Sequence, residues 1–238
     1  MRAWIFSDLH ITDIKNAVYP AFLSALKEAS QAGDHLVLAG DIFDLMVGAS
    51  GFYRSKFKDY FLAIETAVKA GVKVHYIEGN HDFHLRKLYP KTLDFQEDAV
   101  ILIDSADTTA KKLLYIAHGD LVEQEDAGYL RLRTLLRSSP FEWFAAALPG
   151  RVIETVGLRF SRSLAQKSED KASSHTREVF RAFAAKKHEE GFDYVVLGHC
   201  HDFDAVPPVY YNMGFPPKHG HYLYYDTETQ LQRRKFLL

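Results

Sequence analysis

Five short apolar runs in this chain each end in aspartate, asparagine or histidine, usually beside a glycine. Ala3-Trp4-Ile5-Phe6 ends in Ser7-Asp8-Leu9-His10, and His35-Leu36-Val37-Leu38-Ala39 ends in Gly40-Asp41-Ile42-Phe43-Asp44. The run 72–77 ends in Glu78-Gly79-Asn80-His81-Asp82, the run 113–117 in His118-Gly119-Asp120, and Tyr194-Val195-Val196-Leu197 in Gly198-His199-Cys200-His201. Any one of these polar clusters could be a helix cap or a turn. Their repetition restricts the fold, because ligand sites in open α/β sheets lie at the carboxyl ends of strands. Glycine there lets the backbone turn close to a bound ion. In an extended segment residues i and i+2 point the same way, so His199 and His201 reach one point while Cys200 faces elsewhere.

Between the first three runs lie helical patterns. Residues 18–32 carry helical apolar spacing up to Gly33, and residues 57–70 do so up to Gly71. Strands alternating with helices predict a layered α/β sheet. The chain has 238 residues, enough for one large domain carrying an insertion. A net charge of −2 gives no electrostatic case for nucleic acid as a partner. One cysteine excludes an internal disulfide and fits a reducing compartment. The first ten residues turn polar too early for a secretory segment, and no apolar run nears the ~18 residues of a membrane span. A cytoplasmic protein is expected.

After Asp120 the pattern changes. Residues 126–188 read as mostly helical, punctuated by Pro140, Pro149 and Gly150, and no strand-and-ligand unit recurs before Tyr194. The tail returns to strands around 209–214, 222–225 and 231–238, the last two joined as a hairpin. The interval from Arg131 to Arg181 holds ten basic and five acidic residues, interleaved with Phe141, Trp143, Phe144, Val152, Val156 and Phe160. Such a mixture suits an anionic amphiphile or a membrane surface. It also suits a helix pair that packs its apolar face on the core, and both can hold together.

In this order, D-x-H at Asp8, G-D-x-x-D at Asp41, G-N-H-D at Asn80, H-G-D at His118 and G-H-x-H at His199 resemble the calcineurin-like metallophosphoesterase superfamily. The resemblance covers residues 1–120 and 194–238. It implies a four-layer α/β/β/α sandwich with the site at the strand ends and a helical lid inserted over 121–190. It implies two divalent ions, Mn²⁺ foremost, with Fe²⁺ or Zn²⁺ as alternatives. Asp8, His10, Asp41 and His201 would hold one ion. Asp41, Asn80, His118 and His199 would hold the other, with Asp41 bridging. The ligand chemistry agrees, since mixed carboxylate, amide and imidazole donors suit borderline divalent metals. Two ions about 3.5–4 Å apart polarise a phosphoryl oxygen and acidify a bound water. His81 would act as general acid or stabilise developing charge, making His81 and Asp41 the catalytic pair. Asp44 would orient His81 or cap a helix, Asp82 would serve a turn, and Asp120 would support its own turn. Cys200 and the other histidines, His35, His75, His84, His175, His188, His219 and His221, carry no expected role.

The stretch His118–Arg133, HGDLVEQEDAGYLRLR, with GDIFDL at 40–45, is similar to the UDP-2,3-diacylglucosamine pyrophosphatases of lipid A biosynthesis. Those enzymes release UMP and a lipid-bearing sugar phosphate under a helical lid. The likeness implies a nucleotide-linked glycolipid substrate touching Asn80, Asp126, Arg131, Ser163, Ser168, Lys171 and His199, and peripheral contact with a bacterial inner membrane. It departs from that family in two places. Gly-Asn-His-Asp stands where the family has Gly-Asn-Arg-Asp. In the lid, Lys171 matches the family's lysine, while Ser168 stands for an asparagine and Leu164, beside Ser163, for a serine. A phosphomonoesterase, cyclic phosphodiesterase or protein phosphatase with the same metal site is the alternative. A non-catalytic scaffold is a third class, set against the complete ligand set and His81.

Overall fold

The computed structural model describes residues 1–48, 51–96, 98–105, 111–123, 127–168 and 174–236, with the backbone alone for 160–168. Asp126 and Lys171 lie outside the described residues, as do the side chains of Ser163 and Ser168.

β1 (Arg2–Phe6), β2 (His35–Ala39) and β4 (Lys73–Ile77) pair in parallel, with Phe6 beside Leu38 and Ala39 beside Ile77. β6 (Asp94–Gln96) continues that side. β12 (His221–Asp226) joins antiparallel to β1, and the hairpin partner β13 (Gln230–Lys235) closes the other edge. The order of this six-stranded sheet is β13-β12-β1-β2-β4-β6. A second sheet has the order β10-β11-β9-β8-β7. Its strands are β7 (Ala99–Asp104), β8 (Lys112–Ala117), β9 (Tyr194–Leu197), β10 (Ala205–Val206) and β11 (Tyr210–Asn212). β8 and β9 are parallel, with Ala117 beside Leu197. Parallel pairing in register makes the polar residues that follow each strand emerge at the same edge of their sheet.

The two-residue alternation of side chains sorts the apolar runs into layers. Ala3, Ile5, Val37, Ala39 and Ile77 face the second sheet and meet Val100, Leu102, Leu114, Ile116 and Val196. Trp4, Phe6, Leu36, Leu38 and Tyr76 face the other way. They pack on α1 (Val18–Ala32) and α3 (Lys58–Lys69) through Phe22, Leu26, Tyr60 and Ile64. Strands buried on both faces explain why these runs are continuously apolar rather than alternating. On the far side, Ala117, Val195 and Leu197 bury against Phe180 and Ala184 of α7 (Ser174–Glu189). The chain therefore folds as helices, sheet, sheet, helix.

Of the helical stretch after Asp120, α7 thus forms the outer layer of the sandwich. The other three helices are α4 (Ala127–Leu136), α5 (Ser139–Ala147) and α6 (Gly150–Ser168). They rest on a two-stranded parallel ribbon, β3 (Met46–Val47) with β5 (Asp82–Phe83). Leu136, Phe141, Ala145 and Ile153 pack there on Leu45, Val47 and Phe83. Lys56, at the end of the short α2 (Gly51–Lys56), donates to the Thr12 carbonyl and the Glu154 carboxylate, tying α6 to the body at 2.5 Å each. α5 starts at Ser138, whose hydroxyl accepts from Phe141 N–H at 3.4 Å, with Pro140 in the first turn.

This division of the helices is testable. Phe180 is 1% exposed and Phe144 is 62% exposed. Phe180→Ala should lower unfolding free energy by about 3–5 kcal/mol in urea titration. Phe144→Ala should change it by less than about 0.5 kcal/mol.

Candidate metal centre

Each strand end turns sharply, and the turns place candidate ligands in the left-handed region. Asp8 (φ 54°), His10 (44°), Asp41 (53°), His199 (68°) and His201 (55°) all have positive φ. Non-glycine residues held there cost about 1–3 kcal/mol each, and such conformations concentrate at functional sites. The neighbouring glycines have a different cause, close approach. A Cβ on Gly79 would clash with the Asp41 carboxylate, and one on Gly198 with the Asp8 carboxylate and Ser7 hydroxyl.

The loops are held by hydrogen bonds from beneath. Asp82, fully buried, accepts from Asp41 N–H (2.9 Å), Ile42 N–H (2.8 Å), Gly79 N–H (2.9 Å) and the Tyr76 hydroxyl (2.7 Å). Burial and then the Asp41 charge push its pKa up to about 7, while four donors keep it an acceptor. Asp8 accepts from His199 N–H at 3.0 Å and from the Ser7 hydroxyl at 2.6 Å, so the first loop of one sheet grips the last loop of the other.

Three groups of donors result among the described residues, one of them His10, Asp44 and His81. Asp8, His10 and His201 offer ligand atoms that all lie within 4.8 Å of one another, and so do Asp41, His118 and His199. His10 Nε2 lies 3.0 Å from His201 Nε2 and 3.7 Å from Asp41 Oδ2, and His201 Nε2 lies 3.5 Å from Asp8 Oδ1. His118 Nε2 is 3.5 Å from Asp41 Oδ2 and 3.1 Å from Asn80 Oδ1, and His199 Nδ1 is 2.9 Å from that same amide oxygen. Asp41 thus faces both groups. His81 Nε2 lies 4.0 Å from Asp41 Oδ2, while its Nδ1 meets the Asp44 carbonyl at 2.9 Å. Asp44 Oδ1 stands 3.4 Å from His10 Nδ1 and 3.7 Å from His81 Nδ1. No helix begins at Asp44; β3 follows it.

The donors fit a cation. His118 Nδ1–H donates to the Ala39 carbonyl at 3.0 Å, so Nε2, which faces Asn80 Oδ1 and Asp41 Oδ2, is the atom that carries the second proton or gives it up to a metal ion. Acceptors converging in a buried place repel unless a proton or metal ion stands among them. Burial disfavours charge on His118, but the Asp41 carboxylate outweighs it and pushes the pKa up to about 10. Asp41 is held well below the usual carboxylate range, the charges of His118 and His81 overcoming its burial. Burial and then His118 push His199 down to about 4. The cluster therefore holds positive charge among its carboxylates, and a divalent ion would replace protons there.

Of the remaining expected substrate contacts, Arg131 alone has a described side chain. Arg131 is exposed on α4. Residues four apart on that helix point inward instead, a spacing that puts Tyr129, Arg133 and Arg137 on one face. Tyr129 Oη donates to Asp120 Oδ2 at 2.9 Å and Arg133 Nε to the same oxygen at 2.6 Å. That i, i+4 series stands in the sequence, but no motif singles it out. Cys200 packs among apolar side chains and receives Asn212 Nδ2–H at 3.1 Å, and burial pushes its thiol up to about 12. His84 bonds the Leu136 carbonyl, and His35, His75 and Asp94 form a chain of 3.0 and 2.8 Å at the opposite ends of the strands.

Asp41→Ala should abolish cooperative loading of divalent ions, read by calorimetric titration with Mn²⁺. Gly79→Ala, which intrudes on Asp41 without removing a donor, should weaken that loading at least about tenfold. Wild-type affinity in either variant would break the assignment.

Comparison with known proteins places the chain in a family. Residues 1–203 match the calcineurin-like phosphoesterase family. The UDP-2,3-diacylglucosamine hydrolase of Photorhabdus laumondii is 26% identical over 205 residues, 84% of this chain and 82% of that protein. Those of Aliivibrio fischeri and Actinobacillus succinogenes are 24% and 25% identical over 86% and 87% of this chain, and 83% and 87% of their own. A dimetal phosphatase structure from Danio rerio covers 99% of both chains at 12% identity and a TM-score of 0.41. Five strand-end motifs in order, converged donors at the sheet edges and the family match lead to one conclusion: this chain belongs to the calcineurin-like phosphoesterase family and is a metal-dependent phosphoesterase.

Proposed function

We propose that the protein hydrolyses the pyrophosphate of UDP-2,3-diacylglucosamine to UMP and 2,3-diacylglucosamine 1-phosphate. The observation that carries this reading is the exposed apolar side chains on α4–α6, the helices packed on the ribbon beside the ligand loops. Trp143 is 73% exposed, Phe144 62%, Leu135 62% and Val156 61%, with Arg151 and Arg159 exposed alongside. A water-soluble phosphoester needs no such surface, whereas two acyl chains do. The relatives' names support the same substrate. We assign α4–α6 as the lid, peripheral contact with a bacterial inner membrane through that surface, and a cytoplasmic location. Among the described residues no helix is long and apolar enough to cross a membrane.

In this reading Asp8, His10, Asp41 and His201 hold one divalent ion and Asp41, Asn80, His118 and His199 the second, with Mn²⁺ as the native metal. Bound there, the ions supply Lewis-acid polarisation of a phosphoryl oxygen and an acidified water. The residues then do the rest. Asp41 sets the spacing between the two halves of the site. Asn80 and His199 place the phosphate among the donors. His81, its Nδ1–H fixed on the Asp44 carbonyl, presents Nε2 on the side of Asp41 Oδ2 and transfers a proton to, or shares one with, an oxygen of the departing group. The likeness in sequence further assigns Asp126, Arg131, Ser163, Ser168 and Lys171 to substrate contact in this reading.

Purified protein with Mn²⁺ should release UMP rapidly from UDP-2,3-diacylglucosamine and use p-nitrophenyl phosphate and bis-p-nitrophenyl phosphate poorly. Turnover of the small esters alone would keep the phosphoesterase and remove this substrate. His81→Ala should lower kcat by about 10²–10⁴ with Mn²⁺ still bound, measured by single-turnover kinetics and calorimetry. Trp143→Ala should raise KM for the diacyl substrate about tenfold and leave small-ester hydrolysis unchanged, because one large side chain seated on an acyl chain is worth about 1.5–3 kcal/mol.

A further inference from the structure

The inward face of α4 touches two ligand loops, one from each sheet. Its first half holds Asp120, two residues after His118, through Tyr129 and Arg133. Its end holds the loop of Asn80. Arg137 Nη2 donates to the Glu78 carbonyl at 2.8 Å and to the Gly79 carbonyl at 2.9 Å, and its Nη1 lies 3.4 Å from the Glu78 carboxylate. The contact is returned, since His84 Nε2 donates to the carbonyl of Leu136, the last residue of α4, at 2.8 Å. The second carboxylate oxygen of Glu78 accepts from Leu85 N–H at 2.7 Å, which keeps that side chain turned toward the arginine.

The residue before Asn80 is therefore gripped on both sides. Gly79 N–H bonds Asp82 in the interior, and Gly79 C=O bonds Arg137 from the lid. Arg137 is half-buried; its Nη2 meets two successive carbonyls while Nη1 of the same planar fork faces the Glu78 carboxylate, so one rigid group spans the backbone and side chain of Glu78. Nothing in the proposed reaction uses this arginine. Its bonds fix the backbone that carries Asn80 Oδ1, the atom lying 3.1 Å from His118 Nε2 and 2.9 Å from His199 Nδ1.

We propose that Arg137 is a positioning residue that completes the metal site of Asp41, Asn80, His118 and His199 only when α4 is docked. The lid and that site are then coupled. By reciprocity, a cation held by Asn80 favours the docked lid as much as the docked lid favours the cation. This rests on the reading of those residues as metal ligands, and the test separates the two.

Mn²⁺ is titrated by calorimetry into full-length wild type, Arg137→Ala, Arg137→Lys, Glu78→Gln, Asn80→Ala and the double variant Asn80→Ala/Arg137→Ala, with thermal melts of each metal-free protein as a folding control. Wild type should bind two ions. Arg137→Ala should weaken one of them about tenfold and leave the other unchanged. Arg137→Lys and Glu78→Gln should fall between. In the Asn80→Ala background the loss of Arg137 should have no further effect, the signature of action through Asn80. Activity of Arg137→Ala should return toward wild type at saturating Mn²⁺. Unchanged affinity for both ions in a folded Arg137→Ala protein would overturn the proposal, as would an equal additional loss in the Asn80→Ala background. Failure of wild type to bind two ions would instead overturn the metal-site reading itself.

Discussion

Asp82 is the point from which the centre is hung. Its carboxylate lies in the interior and accepts the backbone N–H groups of Asp41, Ile42 and Gly79, with the Tyr76 hydroxyl as a fourth donor. Two strand-end loops are thereby locked to one anion. Asp41 and Asp82 are both buried carboxylates, and the Asp41 charge raises the cost of ionising Asp82. Asp41 is the one that stays strongly acidic, because imidazoles surround it while amides surround Asp82. A buried charge without such partners costs several kcal/mol, so the arrangement is stable only as a whole.

From that web the ligand residues stand at positions their backbone would otherwise avoid. Positive φ at Asp8, His10, Asp41, His199 and His201 turns each side chain back over the sheet edges. Strain spread over five loop residues is carried by the rigid strands beneath them, which pair in register and are buried on both faces. Precise placement of donors on stiff elements is the condition for holding an ion and a phosphoryl group together. The chain spends its most regular structure on that task.

The lid is built on the same loops rather than beside them. β3 follows Asp44 and β5 contains Asp82, and their short parallel ribbon is the platform on which Leu136, Phe141, Ala145 and Ile153 pack. α4 then reaches Asp120 and the Glu78-Gly79 backbone. A substrate that seats on the outer surface of α4–α6 thus bears on helices already bonded to the ligand loops. In the proposed reading recognition and chemistry share a frame, because the same loops end the strands and carry α4–α6.

Much of this was legible in the chain alone. Continuous apolar runs ending in Asp, Asn and His beside glycine specify buried parallel strands and a site at their ends, since period-2 burial and strand-end geometry are local properties. α1 over 18–32 and the tail hairpin follow from the same local rules. Other features depended on contacts between distant residues. Asp82 reads locally as a turn residue, yet it binds Asp41, forty-one positions away. α7 has the polar, basic composition of the lid helices and yet lies on the second sheet, because Phe180 and Ala184 find Val195 and Leu197 there. Arg137 has no motif of its own; the fold brings it to the Glu78 and Gly79 carbonyls. The sequence by itself determined the strands, the donor types and their order, because those are written in adjacent residues. Only the tertiary structure decided which anion anchors the loops, which helix belongs to the sandwich and which arginine meets the centre, because each is a pairing of groups far apart in the chain.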